Sequence, residues 1–148
     1  AGALDCGVFD WGHMSARSVG FKLWWWLYCG DYEVLTAHVE GYLDCFAAAY
    51  REAGGPELAR GELHSQLVVT AMEQMLGLMA AVPQIYRMCP KAAWKEIRDR
   101  WDPRIAENID GKSTLRLYLH VMVSIVRIVE EWRGAEMLEA WAEEVCAA

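Results

Sequence analysis

Long apolar runs, paired cysteines and excess positive charge are all missing from this sequence. The apolar run around Phe21–Tyr28 is far short of the ~20 residues that a membrane-crossing helix requires. The five cysteines are dispersed without a CxxC spacing, which argues against a disulfide framework and for a reducing intracellular compartment, cytoplasm or organelle stroma. The formal net charge is −7, which disfavours binding to nucleic acid.

Familiar catalytic signatures are missing as well, since no GxSxG, HExxH or GxxxxGK[ST] motif occurs. Proline and glycine are modest at 4 and 12 residues, and 55% of the chain is hydrophobic, as in globular proteins rather than fibrous or disordered ones. A chain of 148 residues fits one domain that buries about two thirds of its unfolded surface. We therefore expect a single domain over residues 1–148.

Apolar residues recur every three or four positions over most of the chain, which predicts a mainly α bundle of about six helices. Capping residues, glycines and prolines place these helices from Ser15 or Ser18 to Cys29, from Tyr32 to Ala53 after Asp31, from Pro56 or Glu62 to Val82, from Lys91 to Trp101, from Ser113 or Thr114 to Arg133, and from Gly134 to about Cys146. Residues 103–112 read as a loop. In the last helix we expect Met137, Leu138, Trp141 and Val145 to face inward.

Eight tryptophans are many for a chain of this length. Trp24, Trp25 and Trp26 are consecutive on the first predicted helix and span roughly 200° of its circumference, so they cannot all face one core. Tryptophan favours sites with one wet and one apolar side, including protein interfaces and membrane headgroup zones. We therefore predict that these three residues, with Trp94 and Trp101, bind a partner.

A local basic patch contrasts with an acidic C-terminal stretch. The patch consists of Lys91, Lys95, Arg98, Arg100 and Arg104. Two interpretations stay open: the patch meets an acidic partner or an anionic ligand, or it is a solvated helix face with internal pairs such as Glu96 and Arg100.

Two further groups on predicted helices have both a structural and a functional interpretation. The stripe of Met72, Met75 and Met79 is typical of adaptable core packing, and alternatively forms the wall of a ligand pocket. Single helical histidines such as His64 and His120 are usually surface or hydrogen-bonded core residues, and alternatively ligate a porphyrin-type pigment. The structural interpretation is the commoner in both cases.

The stretch from Leu4 to His13 is the one segment that reads as strand and turn. Val8 and Phe9 favour an extended run between glycines, which predicts a short N-terminal β-strand or hairpin that delivers Asp10 to its end. A carboxylate there, with Asp5 and His13 nearby, suits Mg²⁺, which prefers oxygen ligands. The alternative is that these acids cap or stabilise a turn.

The run Val8-Phe9-Asp10-Trp11-Gly12 resembles the apolar strand ending in Asp-Trp or Asp-Phe-Gly of aminoglycoside and choline phosphotransferases and their protein-kinase-like relatives. The resemblance implies that Asp10 is a metal ligand and that the chain corresponds to the helical C-terminal part of that fold. Lys22 stands where an aspartate follows in many members. The nucleotide-covering loop, phosphate-binding lysine and catalytic aspartate lie upstream in this family, and residues 1–9 are too few to supply them.

These patterns predict a non-catalytic helical subunit that docks into a larger, membrane-associated assembly, photosynthetic complexes included. Its partners are then proteins, it needs no cofactor, and peripheral contact with a membrane is compatible with it. The alternative is a C-lobe fragment of an ATP- and Mg²⁺-dependent small-molecule phosphotransferase. A third hypothesis is a bundle that binds an apolar ligand.

Overall fold

The computed structural model describes residues 17–109 and 113–147, and most of these residues are helical. The helices are α1 (Val19–Leu27), α2 (Tyr32–Glu52), α3 (Arg60–Ala80), α4 (Val82–Met88), a 3₁₀ helix (Lys91–Glu96), α5 (Pro103–Ala106), α6 (Leu115–Glu131) and α7 (Gly134–Ala147). Strands β1 (Asn108–Ile109) and β2 (Ser113–Thr114) pair antiparallel, with Asn108 opposite Thr114. The mainly α prediction is confirmed, whereas the predicted N-terminal strand or hairpin lies outside the described residues.

The first two helices begin where their capping residues predict. The Ser18 hydroxyl accepts a hydrogen bond from the Phe21 amide at 3.2 Å and so caps α1. Asp31 occupies the N-cap position of α2, but its side chain makes no capping bond and reaches Arg100 instead. At the other end of α2, Gly54 takes a positive φ of 87°, which glycine adopts without strain.

The region from Pro83 to residue 109 departs from the sequence prediction. At its start, however, the helix bends as a proline predicts: α3 and α4 follow each other with a 55° bend, and Pro83 occupies the first turn of α4, where an amide hydrogen is not needed. The predicted helix from Lys91 to Trp101 is wrong beyond Glu96, where the 3₁₀ helix ends. A helix this short is not stable in isolation, so its tertiary contacts decide its conformation. The predicted loop contains α5, which Asp102 caps through the Arg104 amide.

The main core joins α1, α2, α3 and α6. Its centre is formed by side chains with almost no exposed surface: Leu23, Leu43, Leu63, Leu67, Val68, Ala71, Ile125 and Ile128. Helix α1 packs on α3 at Gly20, whose amide donates to the Gln66 side chain at 3.2 Å. This core fixes the orientation of α1 and therefore of its tryptophans.

A second, smaller cluster forms where α4, α5 and α6 meet. Ile85, Cys89, Ile105 and Leu115 are buried there, and Trp94 packs against them. The cluster anchors the irregular segment between the 3₁₀ helix and α5 beside the N-terminal half of α6. It therefore sets the position of Arg100 and Trp101.

A helix that crosses a bilayer needs about 20 predominantly apolar residues. Within residues 17–109 and 113–147, no single helix is long and apolar enough to cross a membrane; the bent pair α3–α4 meets both criteria only when its two helices are taken together.

Candidate interaction surfaces

Helix α1 directs its three consecutive tryptophans to different environments. Trp24 is only 3% exposed and lies in the main core, whereas Trp25 is 52% exposed and Trp26 is 71% exposed. The prediction that the three cannot share one core is confirmed. Trp24, which the sequence also suggested as a partner-binding residue, does not present its indole at the surface.

An aromatic groove lies between α1 and the C-terminal half of α2. The Trp26 ring meets the Phe46 ring edge-on at a centroid distance of 5.6 Å, and Phe46 stacks on Tyr50 at 5.8 Å. The groove has a volume of about 420 Å³ and is lined by Leu23, Trp26, Leu27, Tyr42, Cys45, Phe46, Ala49, Tyr50 and Ala53. None of these lining residues carries a charge, so the groove offers an apolar surface with two phenol groups.

Trp25 extends this aromatic surface on another side of α1. Its ring contacts Phe21 at 5.9 Å and Tyr28 at 5.1 Å, both edge-on. A hydrogen bond with the Cys29 side chain and partial burial together raise the pKa of Tyr28 to about 12. Tyr28 therefore stays neutral at physiological pH, and the only cation in contact with these rings among the described residues is Arg17, 4.9 Å from the centre of the Phe21 ring.

A second surface surrounds Trp101, whose side chain is 69% exposed. The guanidinium carbons of Arg100 and Arg116 lie 5.5 Å and 5.0 Å from the centre of its ring, which is cation–π geometry. Both arginines line a pocket of about 340 Å³, the arginine pocket, formed by Asp31, Tyr32, Glu33, Arg100, Ile105, Arg116, Leu119, His120, Val123, Ser124 and Arg127. The pocket combines residues from the start of α2, from the segment before α5 and from α6.

Arg127 forms a fixed wall of the arginine pocket. It donates to Glu33 at 2.6 Å and to Glu131 at 3.0 Å, and its guanidinium lies 3.7 Å from the centre of the Tyr32 ring. The Tyr32 hydroxyl in turn donates to Glu131 at 3.0 Å. Hydrogen bonds from Arg127 lower the pKa of Glu33 and of Glu131, while burial raises the pKa of Tyr32. Arg127 is thus neutralised within the fold.

Arg100 and Arg116 are much less neutralised than Arg127. Arg100 reaches an Asp31 oxygen only at 3.4 Å, with both side chains more than half exposed. Among the described residues no carboxylate lies within ion-pair distance of Arg116. Beside them, the His120 Nε2–H donates to the Gly30 carbonyl at 3.0 Å, which confirms the structural interpretation of this histidine. The pocket therefore keeps uncompensated positive charge.

The predicted pair of Glu96 and Arg100 does not form, because the 3₁₀ helix ends between them. Glu96 instead accepts from Arg104 at 2.7 Å, and Arg104 also holds Asp102 through two hydrogen bonds of 2.9 Å and 2.7 Å. These bonds lower the pKa of Asp102 to about 2. The predicted basic patch is thus divided: Arg104 is satisfied internally, whereas Arg100 faces the arginine pocket.

The remaining predicted residues have different outcomes. The Trp94 indole N–H donates to the Cys89 carbonyl at 2.8 Å, so its polar end is satisfied inside the fold, and its partner contact stays a prediction. Asp10, the predicted Mg²⁺ ligand, lies outside the described residues. Within the described ranges, no three His, Cys, Asp or Glu side chains are arranged to hold a metal ion. Met72 and Met75 pack against the main core, while Met79 is exposed.

The inward orientation predicted for α7 is wrong for three residues. Leu138, Trp141 and Val145 are exposed, and only Met137 packs against the main core. The helix contacts α3 and α6 mainly near its start, at Gly134, and most of its length lies on the surface. The spacing of apolar residues predicts an apolar stripe along α7, but it does not predict how much of that stripe packs against other helices.

Sequence reasoning also missed Arg116 and His120 as parts of a site. Arg116 was not considered as a site residue and His120 was considered only as an alternative pigment ligand, although their spacing of four residues places them on one face of α6. Comparisons with protein-family models, with curated proteins and with solved structures found no match.

Proposed function

We propose that this chain is a non-catalytic helical subunit that docks into a larger protein assembly through the aromatic groove. The observation that carries the proposal is Trp26, which is 71% exposed beside a groove lined without any charged side chain. Burying such an indole against a partner removes a large apolar area from water. Tryptophan and tyrosine are also the residue types that most often dominate interface energies.

The chemistry of the groove favours a row of apolar side chains from a protein, as an amphipathic helix presents them. Its walls come from two packed helices, so the backbone on both sides is held by the main core. A lipid surface is a poorer occupant, since no lysine or arginine lines the groove and the chain carries a net charge of −7.

The test compares the native size of the assembly in extracts of cells that express tagged wild-type or variant protein. Trp26→Glu should move the chain from a high-mass fraction to the mass of the free monomer, because a carboxylate cannot enter the apolar interface. Val34→Glu is the matched control, since Val34 is half exposed on α2 and lies outside the groove. If the assembly is membrane-associated, the wild-type chain also pellets with membranes and the Trp26 variant does not.

Two results would contradict docking through the groove. The first is a wild-type chain that elutes as a monomer in the extract. The second is a Trp26→Glu variant that elutes with the wild type. Circular dichroism melts of both variants must show the native helical content, so that unfolding does not imitate release.

The phosphotransferase-fragment hypothesis stays a prediction that rests on Asp10. The coding sequence upstream of Ala1 tests it. A catalytic loop of the HxD type ahead of Asp10, with a lysine further upstream, would favour an active kinase-like enzyme.

A further inference from the structure

We infer that the arginine pocket binds an acidic segment of a protein partner, one that presents a carboxylate next to an apolar side chain. The inference rests on the proposed docking function and assigns it a second surface with a different chemistry. The groove and the pocket draw on opposite ends of α2, so their occupants can be tested separately.

The first step of the argument is charge. Three guanidinium groups and one imidazole line the pocket, against the two carboxylates of Asp31 and Glu33. Glu33 is held by Arg127 at 2.6 Å, whereas Asp31 meets Arg100 only at 3.4 Å. Arg116 has no carboxylate partner among the described residues. In a chain of net charge −7, this local excess of positive charge attracts an anion.

The second step is the type of anion. A guanidinium group presents two parallel N–H donors that match the two oxygens of a carboxylate. Arg127 is balanced by Glu33 and Glu131, whereas Arg100 and Arg116 face only the Asp31 carboxylate, so this end of the pocket has about one positive charge in excess, which balances one carboxylate. A phosphate dianion or a polyanion would bring further negative charge close to Asp31 and Glu33, and like charges at such distances repel.

The third step is the apolar part of the site. Ile105 and Leu119 line the pocket, the exposed Val123 is also part of its lining, and Trp101 stands beside it with most of its surface in water. Arg100 and Arg116 both lie against the Trp101 ring, so the indole and the two cations form one continuous face. A ligand that fits this face carries an apolar side chain beside its carboxylate.

The probe for the test is a fluorescein-labelled, C-terminally amidated peptide of sequence Gln-Leu-Glu-Gln-Leu-Gln, which carries one side-chain carboxylate beside a leucine, with the amidated Gln-Leu-Gln-Gln-Leu-Gln peptide as its counterpart without that carboxylate. Fluorescence anisotropy with the full chain should show binding of the first peptide and at least tenfold weaker binding of the second. Arg116→Gln should weaken the affinity for the acidic peptide about tenfold, as expected for loss of a charge-assisted bidentate contact. Trp101→Ala should weaken it as well.

Arg98→Gln is the matched control, because it removes the same charge from an exposed residue outside the pocket. It should change the affinity less than twofold. Equal losses in the Arg98 and Arg116 variants would overturn the inference, since the effect would then come from net charge alone. No difference between the two peptides would overturn it, and so would displacement of the acidic peptide by millimolar inorganic phosphate at constant ionic strength.

The Trp26→Glu variant separates this inference from the proposed function. It leaves the arginine pocket intact, so its affinity for the acidic peptide should equal that of the wild type. If the acidic peptide binds but Trp26→Glu does not change the size of the assembly, docking through the aromatic groove is contradicted and peptide binding in the arginine pocket is not. If the Trp26 variant leaves the assembly but the acidic peptide does not bind to the chain, the inference about the arginine pocket is overturned and docking through the groove is supported.

Discussion

Gly20 in α1 lies directly over the backbone carbonyl group of Gln66 in α3. A Cβ atom at Gly20 would fall 2.6 Å from the Gln66 carbonyl carbon and closer still to its oxygen, and 2.8 Å from the Thr70 hydroxyl. A helical backbone cannot move aside as the end of a long side chain can. Only glycine therefore lets α1 approach α3 closely enough to bury Leu23 and Trp24.

Gly20→Ala should reduce the free energy of unfolding by about 1–3 kcal/mol, the usual cost of overpacking a tight contact. Urea denaturation followed by circular dichroism measures the change. Gly41→Ala is the control, because Gly41 lies in the middle of α2 with open space around its Cα, and alanine favours the helix by about 0.5–1 kcal/mol. An alanine at position 20 that is tolerated as well as one at position 41 would contradict the close packing of α1.

The neighbouring tryptophans of α1 should respond very differently to truncation. Trp24→Ala removes an indole that is buried in the main core and should cost about 3–5 kcal/mol of unfolding free energy. Trp26→Ala should cost less than about 1 kcal/mol, because most of that side chain is in water. Thermal unfolding of both variants measures the difference, and similar losses would contradict the orientation of α1.

Stability should fall as the pH drops through the titration range of His64. Burial lowers the pKa of His64 below its ordinary value, since the ring packs 5.0 Å from the ring of Trp132 and is half-buried. The unfolded chain then binds more protons than the folded chain, so the stabilisation is complete above about pH 6.5 and is lost as the pH falls toward the folded pKa. Melting temperatures between pH 7.5 and pH 5.5 measure it, and His64→Gln should remove this part of the decrease.

Asp102 should titrate at an unusually low pH. Hydrogen bonds from the Arg104 side chain hold its pKa at about 2, so its contribution is present above the unfolded pKa of about 4 and is lost as the pH falls toward 2. Carbon-13 NMR of the carboxyl group measures the midpoint. Arg104→Gln should move the midpoint up toward about 4, and an unchanged midpoint would contradict the pairing.

Local rules in the sequence predicted most of the helices. Ser18 caps the start of α1 through its own side chain, and Gly54 with its positive φ follows the end of α2. These boundaries therefore follow from residues close in sequence. The 3₁₀ helix did not follow from such rules, because its geometry depends on Trp94 packing into the second cluster. The tryptophan triplet predicted that one indole faces outward, but only the contact of Gly20 with α3 decides which one is buried.

The arginine pocket could not be predicted from the sequence, because it depends on contacts between residues that are far apart in the chain. Arg116 and His120 share a face of α6, yet the Gly30 carbonyl that holds His120 is 90 residues away, and the Asp31 carboxylate that meets Arg100 is 69 residues away. The spacing of residues in a single sequence does not predict contacts between residues so far apart. The isolated acid Asp10 gave a clearer motif, but it lies outside the described residues.

Helix α2 also sets a fixed spacing between the two surfaces. Its first residues, Asp31 to Glu33 with the N-cap included, border the arginine pocket, and the groove begins at Tyr42. At a rise of 1.5 Å per residue, about 14 Å of helix separates the two. A short peptide that fills one of them leaves the other accessible, so the helix keeps the two proposed binding surfaces at a constant distance from each other.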